Sequence, residues 1–252
     1  MLRLRDLPRV HAPAITAAQM AEIDRVVPTE YHISVEMLME NASRAVAEAA
    51  RAFFDGSVAG RRIIALVGPG NNGGDALGAS RHLSNWGAEI TVVLALDPQR
   101  VRPLPRTQLE ALSAAGVPAL RAIDDAELAR AGLVLDGLLG YSATGAPHGE
   151  IASLIDAANR SRAPILAIDL PSGLDADTGT AAGACIVASL TVTLGLPKPG
   201  LLVDAAARYV GTLLLADISI PPLAHQRFNI DANGLFAEST LVRVTHSSHT
   251  KP

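Results

Sequence analysis

A glycine-rich segment with two asparagines and an aspartate is the part of the chain best suited to chemistry. The eight residues from Gly68 to Asp75 read GPGNNGGD. They follow the apolar run Ile63 to Val67, which is typical of a buried strand, and precede residues with helical spacing from Ala76. A strand, a glycine turn and the start of a helix leave N–H groups free to bind a phosphate or another anion. Close packing of the turn, without a ligand, is the alternative.

The segment matches one of two common nucleotide-binding motifs. Gly68, Gly70 and Gly73 have the spacing G-x-G-x-x-G that dehydrogenases use for a dinucleotide, so a dehydrogenase on a Rossmann-like scaffold is a rival function. The segment does not match G-x-x-x-x-G-K-[ST], since no lysine follows Gly73 to hold a γ-phosphate. The sequence therefore disfavours a kinase or an ATPase.

Acidic residues follow two further apolar runs. Asp136 lies near the end of the run that starts at Leu133, and Asp169 ends another run and is followed by Leu-Pro-Ser172-Gly. Ligands of open α/β sheets bind beyond the carboxyl ends of the strands. Three polar loops at one edge of a sheet favour a shared site, although each aspartate alone is also typical of an ordinary turn.

Oxygen atoms in these loops are candidate ligands for a cation. Asn72, Asp136 and Ser172 offer amide, carboxylate and hydroxyl oxygens, which suit a hard ion. Only one of the three is anionic, so a weakly held monovalent ion fits this set better than zinc does. The sequence offers no cluster of His or Cys for zinc.

Alternating strands and helices must position these loops. Helices are predicted to begin at Thr16 and Ser34, with Pro28 ending the first, and further helices are predicted over 107–115 and 151–160. Strands are predicted at 63–67, 90–96, 133–140, 164–171, 188–194 and 211–218. This alternation predicts an α/β fold with a mainly parallel central sheet and helices on both faces.

Length and composition suit one large domain. The chain has 252 residues, 49% of them hydrophobic, enough for a sizeable core. The predicted domain covers residues 15–225, with an N-terminal extension at 1–14. The polar tail at 226–252 loses its periodicity and is expected to be poorly ordered.

Charge and cysteine content restrict the partners and the compartment. The net charge of −4, without a basic stripe, argues against nucleic acid as a partner. Cys185 is the single cysteine, which fits a reducing cytoplasm. Residues 178–197 carry no charge but lack a continuous apolar run, so a loop and a buried strand are predicted there rather than a membrane span.

Taken together, these motifs resemble the YjeF N-terminal domain family, the NAD(P)H-hydrate epimerases. The resemblance covers roughly residues 15–222 and rests on motifs at 38–42, 68–75, 136 with 140, 169–175, 194–200 and 216–221. It implies a Rossmann-like three-layer α/β/α sandwich. It also implies a bound potassium ion and the interconversion of the R and S epimers of hydrated NADH and NADPH (NADHX and NADPHX).

The resemblance assigns roles to individual residues. It implies potassium ligands at Asn72, Asp136 and Ser172. It implies substrate contacts at Asn71, Asn72, Gly73, Gly74, Asp75, Gly140, Tyr141, Ser142, Ala143, Thr144, Gly145, Ala146 and Asp169. Asp169 is the predicted acid–base residue, and Asp169→Asn is expected to abolish epimerisation with little loss of stability. Ala76 and the pair Tyr141-Ser142 depart from glycine-rich positions of many members.

Other interpretations and partners follow from the same resemblance. The chain is too short for the second, dehydratase domain of some members, so a separate NAD(P)H-hydrate dehydratase is the expected partner, and a homodimer is possible. Lys198 is interpreted as a solvated loop lysine, with a charge near the substrate as the alternative. A non-catalytic module that binds a nucleotide or a protein partner is the rival function, since fold does not fix function.

Overall fold

A nine-stranded, mainly parallel sheet forms the centre of the protein. The computed structural model describes residues 3–245. Strands β1 to β9 are Arg9–Val10, Arg62–Val67, Glu89–Leu94, Ala119–Leu120, Leu133–Gly137, Ile165–Ile168, Leu190–Leu194, Thr212–Ala216 and Leu241–Val244. Helices α1 to α8 are Ala17–Glu30, Val35–Phe53, Asn71–Asn85, Pro103–Ala114, Asp125–Ala129, Gly149–Ser161, Ala207–Val210 and Pro222–Gln226. Short 3₁₀ turns complete the chain, and the predicted α/β class is confirmed.

The order of the strands places a crevice beside β2. The order across the sheet is β1-β9-β8-β7-β6-β5-β2-β3-β4, and every pair is parallel except β8 with β9. From β2 the chain moves to β3 on one side and later returns to β5 on the other. The strand order therefore reverses between β2 and β5, and ligands of open α/β sheets bind at such a point.

Alternate residues of the strands supply two separate cores. Ile63, Ala65 and Val67 of β2 pack into one cluster with α2 and α3. Ile64 and Leu66 pack on the opposite face, in a cluster that includes residues of α5 and α6. Side chains alternate between the faces of a strand, so this pattern confirms helices on both faces and a three-layer sandwich.

Helix starts agree with the predicted caps. Thr16 forms a capping box with Gln19 at the start of α1, and the hydroxyl of Ser34 accepts a hydrogen bond from Met37 N–H at the start of α2. The prediction that Pro28 ends the first helix is wrong, because α1 continues to Glu30. Proline removes one hydrogen bond and crowds the preceding turn, and the last turn of a helix has few further bonds to lose.

Within residues 3–245 no helix combines the length and apolar character needed to cross a membrane.

The segment after residue 225 is ordered up to Thr245. Strand β9 pairs antiparallel with β8 and parallel with β1, so the sheet recruits both flanks of the predicted domain. Ala232, Val242 and Val244 are buried. The expectation of a poorly ordered tail is therefore wrong for residues 226–245, because a four-residue strand among polar loops has too little periodicity to be recognised. Residues 246–252 lie outside the described part of the chain, as do residues 1–2.

Candidate functional site

A cavity of about 470 Å³ lies at the crevice between β2 and β5. The loops after β2, β5, β6 and β7 contribute to its wall, together with α1 and α2. Eight of the sequence-predicted substrate residues line it: Asn71, Asn72, Asp75, Gly140, Tyr141, Ser142, Ala143 and Asp169. Met20, Leu38, Met39 and Ile218 add apolar surface. A mostly apolar cavity with a few polar groups is typical of a small-molecule site.

Five other predicted substrate residues lie off this cavity. Gly73, Gly74, Thr144, Gly145 and Ala146 are not among its lining residues. Gly145 instead lines a neighbouring cavity of about 80 Å³ that also contacts Ser172. Thr144, Gly145 and Ala146 are exposed, whereas Gly73 and Gly74 are buried. A direct substrate contact by these five residues stays a prediction.

The helix that follows β2 begins earlier than predicted. It starts at Asn71, with Gly70 as its N-cap, so Gly73, Gly74 and Asp75 lie in its first turns rather than in a loop. No side chain of residues 3–245 caps this helix, and Gly70, Asn71 and Asn72 line the cavity. Uncapped N–H groups and the positive end of the helix dipole favour an anion there. The predicted strand, glycine turn and helix are therefore present, with a tighter turn.

The buried glycines allow close packing. A Cβ atom on Gly73 would lie 2.3 Å from the carbonyl oxygen of Gly68, and one on Gly74 would lie 2.5 Å from Cε of Met39. Neither residue has a positive φ. The need for glycine at these two positions is therefore steric rather than conformational. Close packing, which was the alternative explanation of the glycine segment, accounts for Gly73 and Gly74.

We expect Gly73→Ala to lower the free energy of unfolding by about 1–3 kcal/mol, the range for overpacking. The rigid backbone of Gly68 obstructs the new methyl group, although alanine has the higher helix propensity. Gly70→Ala is the matched control, since a Cβ there meets no atom within 4 Å and its φ is −96°. Urea unfolding of both variants measures the difference. Equal midpoints would contradict a steric role for Gly73.

Hydrogen bonds connect the three predicted cation ligands through Leu139 and Ser172. The amide of Asn72 donates to Leu139 O at 2.7 Å, and Ser172 Oγ lies 3.4 Å from the same oxygen. Ser172 Oγ donates to Asp136 Oδ1 at 2.6 Å, and Ser172 N–H donates to Asp136 Oδ2 at 2.8 Å. The Leu139 carbonyl adds a fourth oxygen to this group. Sequence reasoning missed it, because a backbone carbonyl leaves no side-chain pattern.

Asp136 is fully buried, and no basic side chain of the described residues bonds to it. Burial raises the pKa of this carboxyl to about 6, while hydrogen bonds from Ser172 and Leu138 lower it. A buried carboxylate without a positive partner is costly, and a bound cation would offset that cost. The donor set of carboxylate, hydroxyl, amide and carbonyl oxygens therefore fits a hard monovalent cation.

Asp169 forms a buried ion pair with Lys198. Lys198 Nζ lies 2.5 Å from Asp169 Oδ1, and only 1% of the lysine side chain and 5% of the aspartate side chain are exposed. The same carboxylate oxygen accepts a hydrogen bond from Leu194 N–H at 3.3 Å. Asp169 also has a φ of +66°. Such an angle is uncommon outside glycine and is tolerated best by Asp and Asn, so the backbone itself favours these residues at the end of β6.

The interpretation of Lys198 as a solvated loop lysine is wrong. Its ammonium group lies between Asp169, the carbonyl of Leu194 at 3.2 Å, and the ring of Tyr141, whose centroid is 5.5 Å away. The general rule that lysine is exposed failed because a buried carboxylate supplies the partner. A usable signal was present in the sequence: Lys198 lies between two prolines, directly after twenty uncharged residues, 178–197.

Asp24 and Tyr141 form a second polar pair at the cavity. Tyr141 Oη donates to Asp24 Oδ2 at 2.6 Å. Burial raises the pKa of both groups, with the hydrogen bond opposing this shift at Asp24 and adding to it at Tyr141. Tyr141, one of the family departures, therefore links α1 to the loop after β5. Sequence reasoning missed Asp24, because a single acid near the middle of an amphipathic helix is usually solvated.

Ala76, the other departure, lies away from the cavity. Its Cβ would be 2.5 Å from a Cβ built on Gly137 of β5, so the glycine on the strand makes room for the alanine on the helix. Both residues are buried. Ala76 therefore packs α3 against β5 and does not line the cavity.

Asp75 is a buried cavity residue with no hydrogen-bond partner for its carboxyl among residues 3–245. It is 7% exposed. Burial raises the pKa of this group well above its usual value, and the negative charges of Asp169 and Asp24 add to the shift. Asp75 is therefore protonated under conditions in which an exposed aspartate is ionised.

We expect this raised pKa to make the folded protein less stable as pH rises. The folded state holds the Asp75 proton after the unfolded state has lost it, so the free energy of unfolding falls from the unfolded pKa upwards until Asp75 ionises in the folded state. Asp75→Asn removes this contribution. Unfolding of both proteins between pH 4 and pH 8 should show the variant gaining stability relative to the wild type as pH rises. A constant difference would contradict the shift.

Comparison with known proteins identifies the family. Residues 35–200 match the family described as YjeF-related protein N-terminus. A protein of Moorella thermoacetica named bifunctional NAD(P)H-hydrate repair enzyme Nnr is 43% identical over 224 residues, which are 85% of this chain and 42% of that protein. An NAD(P)H-hydrate epimerase of Dehalogenimonas lykanthroporepellens is 38% identical over 234 residues, which are 92% of this chain and 93% of that protein.

A solved structure shares the fold. The yeast protein YNL200c superposes with a TM-score of 0.80 at 22% identity, over 92% of this chain and 99% of that chain. The chain thus spans less than half of the Moorella protein, but it spans almost all of the Dehalogenimonas protein and of the yeast protein. The family match covers more than half of the sequence, and the chain belongs to the family of the YjeF-related protein N-terminus.

Proposed function

We propose that this protein is an isomerase, an NAD(P)H-hydrate epimerase that interconverts the R and S epimers of hydrated NADH and NADPH. The observation that carries the proposal is a buried acid, Asp169, in a cavity beside an uncapped helix N-terminus. Two relatives that this chain matches over nearly their whole length are named NAD(P)H-hydrate epimerase, which supports it. The cavity of about 470 Å³ is large enough for a nicotinamide ring with part of its nucleotide.

Substrate binding uses two parts of the crevice. The N–H groups at the start of α3 hold the phosphates of the nucleotide, because they are uncapped and lie at the positive end of the helix dipole. The hydrated ring enters the cavity between Asp169 and Tyr141, whose wall includes apolar side chains of α1 and α2. Phosphate recognition at Asn71 and Asn72 does not depend on the ring, so ADP-ribose should also bind.

Asp169 carries out acid–base work on the hydroxyl of C6 in the hydrated ring. A proton transferred to that hydroxyl lets water leave with the electron pair of the C–O bond, while the lone pair of N1 forms a planar iminium. Water then adds to the other face and loses a proton to a carboxylate. Lys198 and Leu194 N–H hold Asp169 in place, so its carboxylate position is fixed before the substrate binds.

A potassium ion is part of the proposed site. Asn72, Asp136, Ser172 and the carbonyl of Leu139 would hold it, since hydrogen bonds bring these groups together beside the cavity. The ion would supply a positive charge to offset the buried carboxylate of Asp136. These residues lie at the ends of β2, β5 and β6, so the same oxygens tie three loops together.

We expect potassium chloride to raise the midpoint of thermal unfolding above that measured in choline chloride of equal ionic strength, because a ligand that binds the folded state stabilises it. Asp136→Asn should remove most of this difference, since it deletes the single anionic ligand. Asp156→Asn, an isosteric change at an exposed site of α6, is the matched control. Identical midpoints in both salts for the wild type would exclude a specific potassium site.

A direct assay tests the proposed reaction. One purified epimer of hydrated NADH is incubated with the protein, and the other epimer is followed by chromatography against the spontaneous rate. We expect rapid approach to an equilibrium mixture. Binding of ADP-ribose without any acceleration would instead assign the rival function, a non-catalytic nucleotide-binding module.

The name of one relative motivates a proposal about partners. The relative of Moorella thermoacetica is named a bifunctional NAD(P)H-hydrate repair enzyme, and the match covers 42% of it. We propose that an NAD(P)H-hydrate dehydratase consumes one of the two epimers in the same repair process. Copurification with such a dehydratase is not required, because the epimers are freely diffusing small molecules.

A further inference from the structure

Asp75 differs from every other acid that lines the main cavity. It is the fifth residue of α3, and it is buried. Asp24 is hydrogen-bonded to Tyr141, and Asp169 is paired with Lys198. Asp75 has no partner for its carboxyl within residues 3–245, although it lies on the wall of the same cavity.

Burial and the surrounding charges explain the protonation of Asp75. Burial is the main cause of its raised pKa, and the negative charges of Asp169, at the end of β6, and of Asp24, in α1, add to the shift. The buried cation of the cavity, Lys198, is bonded to Asp169, and the remaining cation of its wall, Arg102, is exposed. Tyr141 is neutral. Asp169 therefore lies beside a cation while Asp75 does not.

The two carboxyl groups therefore have different surroundings in one cavity: Asp169 is held by Lys198 and Leu194 N–H, whereas the carboxyl of Asp75 has no partner among the described residues. A buried aspartate near other carboxylates favours its protonated form. A carboxyl group that keeps its proton and lines a cavity is suited to act as a general acid.

We infer that Asp75 is a second catalytic residue, which acts as the acid on one face of the hydrated ring while Asp169 acts as the base on the other. The inference rests on the proposed epimerase function and extends it. An epimerisation needs chemistry on both faces of C6, because water leaves from one face and returns to the other. A single carboxylate would have to reach both faces, and two carboxyl groups on different elements remove that requirement.

In the proposed step the Asp75 carboxyl donates a proton and the Asp169 carboxylate accepts one. The Asp75 carboxyl proton moves to the C6 hydroxyl oxygen, the C6–O bond breaks, and water leaves with that electron pair. The lone pair of N1 forms the C6=N1 bond of the iminium. A second water bonds to C6 from the opposite face, the C=N electron pair returns to N1, and the Asp169 carboxylate accepts the proton. Proton exchange with solvent resets both groups, and the reverse reaction uses them in exchanged roles.

Asp75→Asn tests the inference, since it keeps the shape of the side chain and removes the acid. We expect kcat to fall about 10²- to 10⁴-fold in both directions, the usual contribution of a positioned acid or base. The affinity for ADP-ribose, measured by calorimetry, should change little. The kcat/KM of the wild type should fall at high pH as Asp75 ionises, and this fall should be absent from the residual activity of the variant.

The matched control is Asp156→Asn, for which we expect wild-type kinetics, because Asp156 is exposed on α6. A wild type that fails to epimerise would overturn the proposed function itself. An active wild type with a fully active Asp75→Asn variant would overturn only the role of Asp75. Loss of ADP-ribose binding in the variant would assign Asp75 to binding and also overturn its catalytic role. If the variant does not fold, a wild-type profile without the fall at high pH overturns the inference.

Discussion

Asp169→Asn should lower kcat for epimerisation by about 10²- to 10⁴-fold, the range that a positioned acid–base group contributes. Asparagine has nearly the same shape, but it can neither donate nor accept the proton that moves between water and the C6 hydroxyl. The φ of +66° at this position is one that asparagine adopts with little strain. The backbone of the loop after β6 should therefore survive the substitution.

The structure changes the expected effect of this variant on stability. The sequence suggested little loss, since the two side chains are isosteric. Lys198, however, is 1% exposed and bonded to Asp169, and removing one member of a buried pair typically costs about 3–5 kcal/mol. The amide oxygen of asparagine still accepts one hydrogen bond from the ammonium group, so we expect a loss at the lower end of that range.

Two measurements separate the catalytic effect from the loss of stability. Urea unfolding gives the change in free energy, and calorimetry with ADP-ribose at a temperature where the variant is fully folded reports phosphate binding at α3. We expect ADP-ribose affinity to remain close to that of the wild type, since the phosphates bind the helix N-terminus. A folded variant with near wild-type turnover would remove Asp169 from the mechanism.

Periodicity was enough to find the central elements of the fold. The six strands predicted from apolar runs correspond to β2, β3, β5, β6, β7 and β8, because strands buried on both faces leave continuous apolar segments. Strands β1, β4 and β9 have two to four residues, too few to show a period. The pairing of β1 also depends on β9, which lies near the other end of the described chain.

The residues of the site were easier to predict from the sequence than the contacts that each of them makes. The sequence indicated that the loops bearing Asn72, Asp136 and Ser172 meet at one edge. In the structure Asn72 and Ser172 both contact Leu139 O, and Ser172 donates a hydrogen bond to Asp136. The sequence left open whether Gly73 serves packing or a ligand, because an ordinary helical glycine and a ligand-binding glycine look alike in sequence. Nor did it reveal the burial of Lys198, which depends on a carboxylate 29 positions away.

Lys198→Met should destabilise the protein by about 3–5 kcal/mol, because it leaves the buried carboxylate of Asp169 without its cation. Methionine keeps the length and much of the apolar stem of lysine, so the cavity left behind is small. Arg227→Met is the matched control. Arg227 pairs with Glu30 at the surface, where the two side chains are 37% and 48% exposed, and removal of such a pair costs about 0–1 kcal/mol.

The double variant Asp169→Asn/Lys198→Met distinguishes a pair needed for folding from a pair kept for chemistry. Neither buried charge remains in it, so its free energy of unfolding should exceed that of Lys198→Met, and the coupling energy of the cycle should be about 0.5–3 kcal/mol. Its epimerase activity should stay at the level of Asp169→Asn, because stability returns without the acid–base carboxyl group of Asp169. If the losses in free energy of unfolding simply add in the double variant, the two side chains contribute independently. If activity recovers together with stability, the pair serves only the fold.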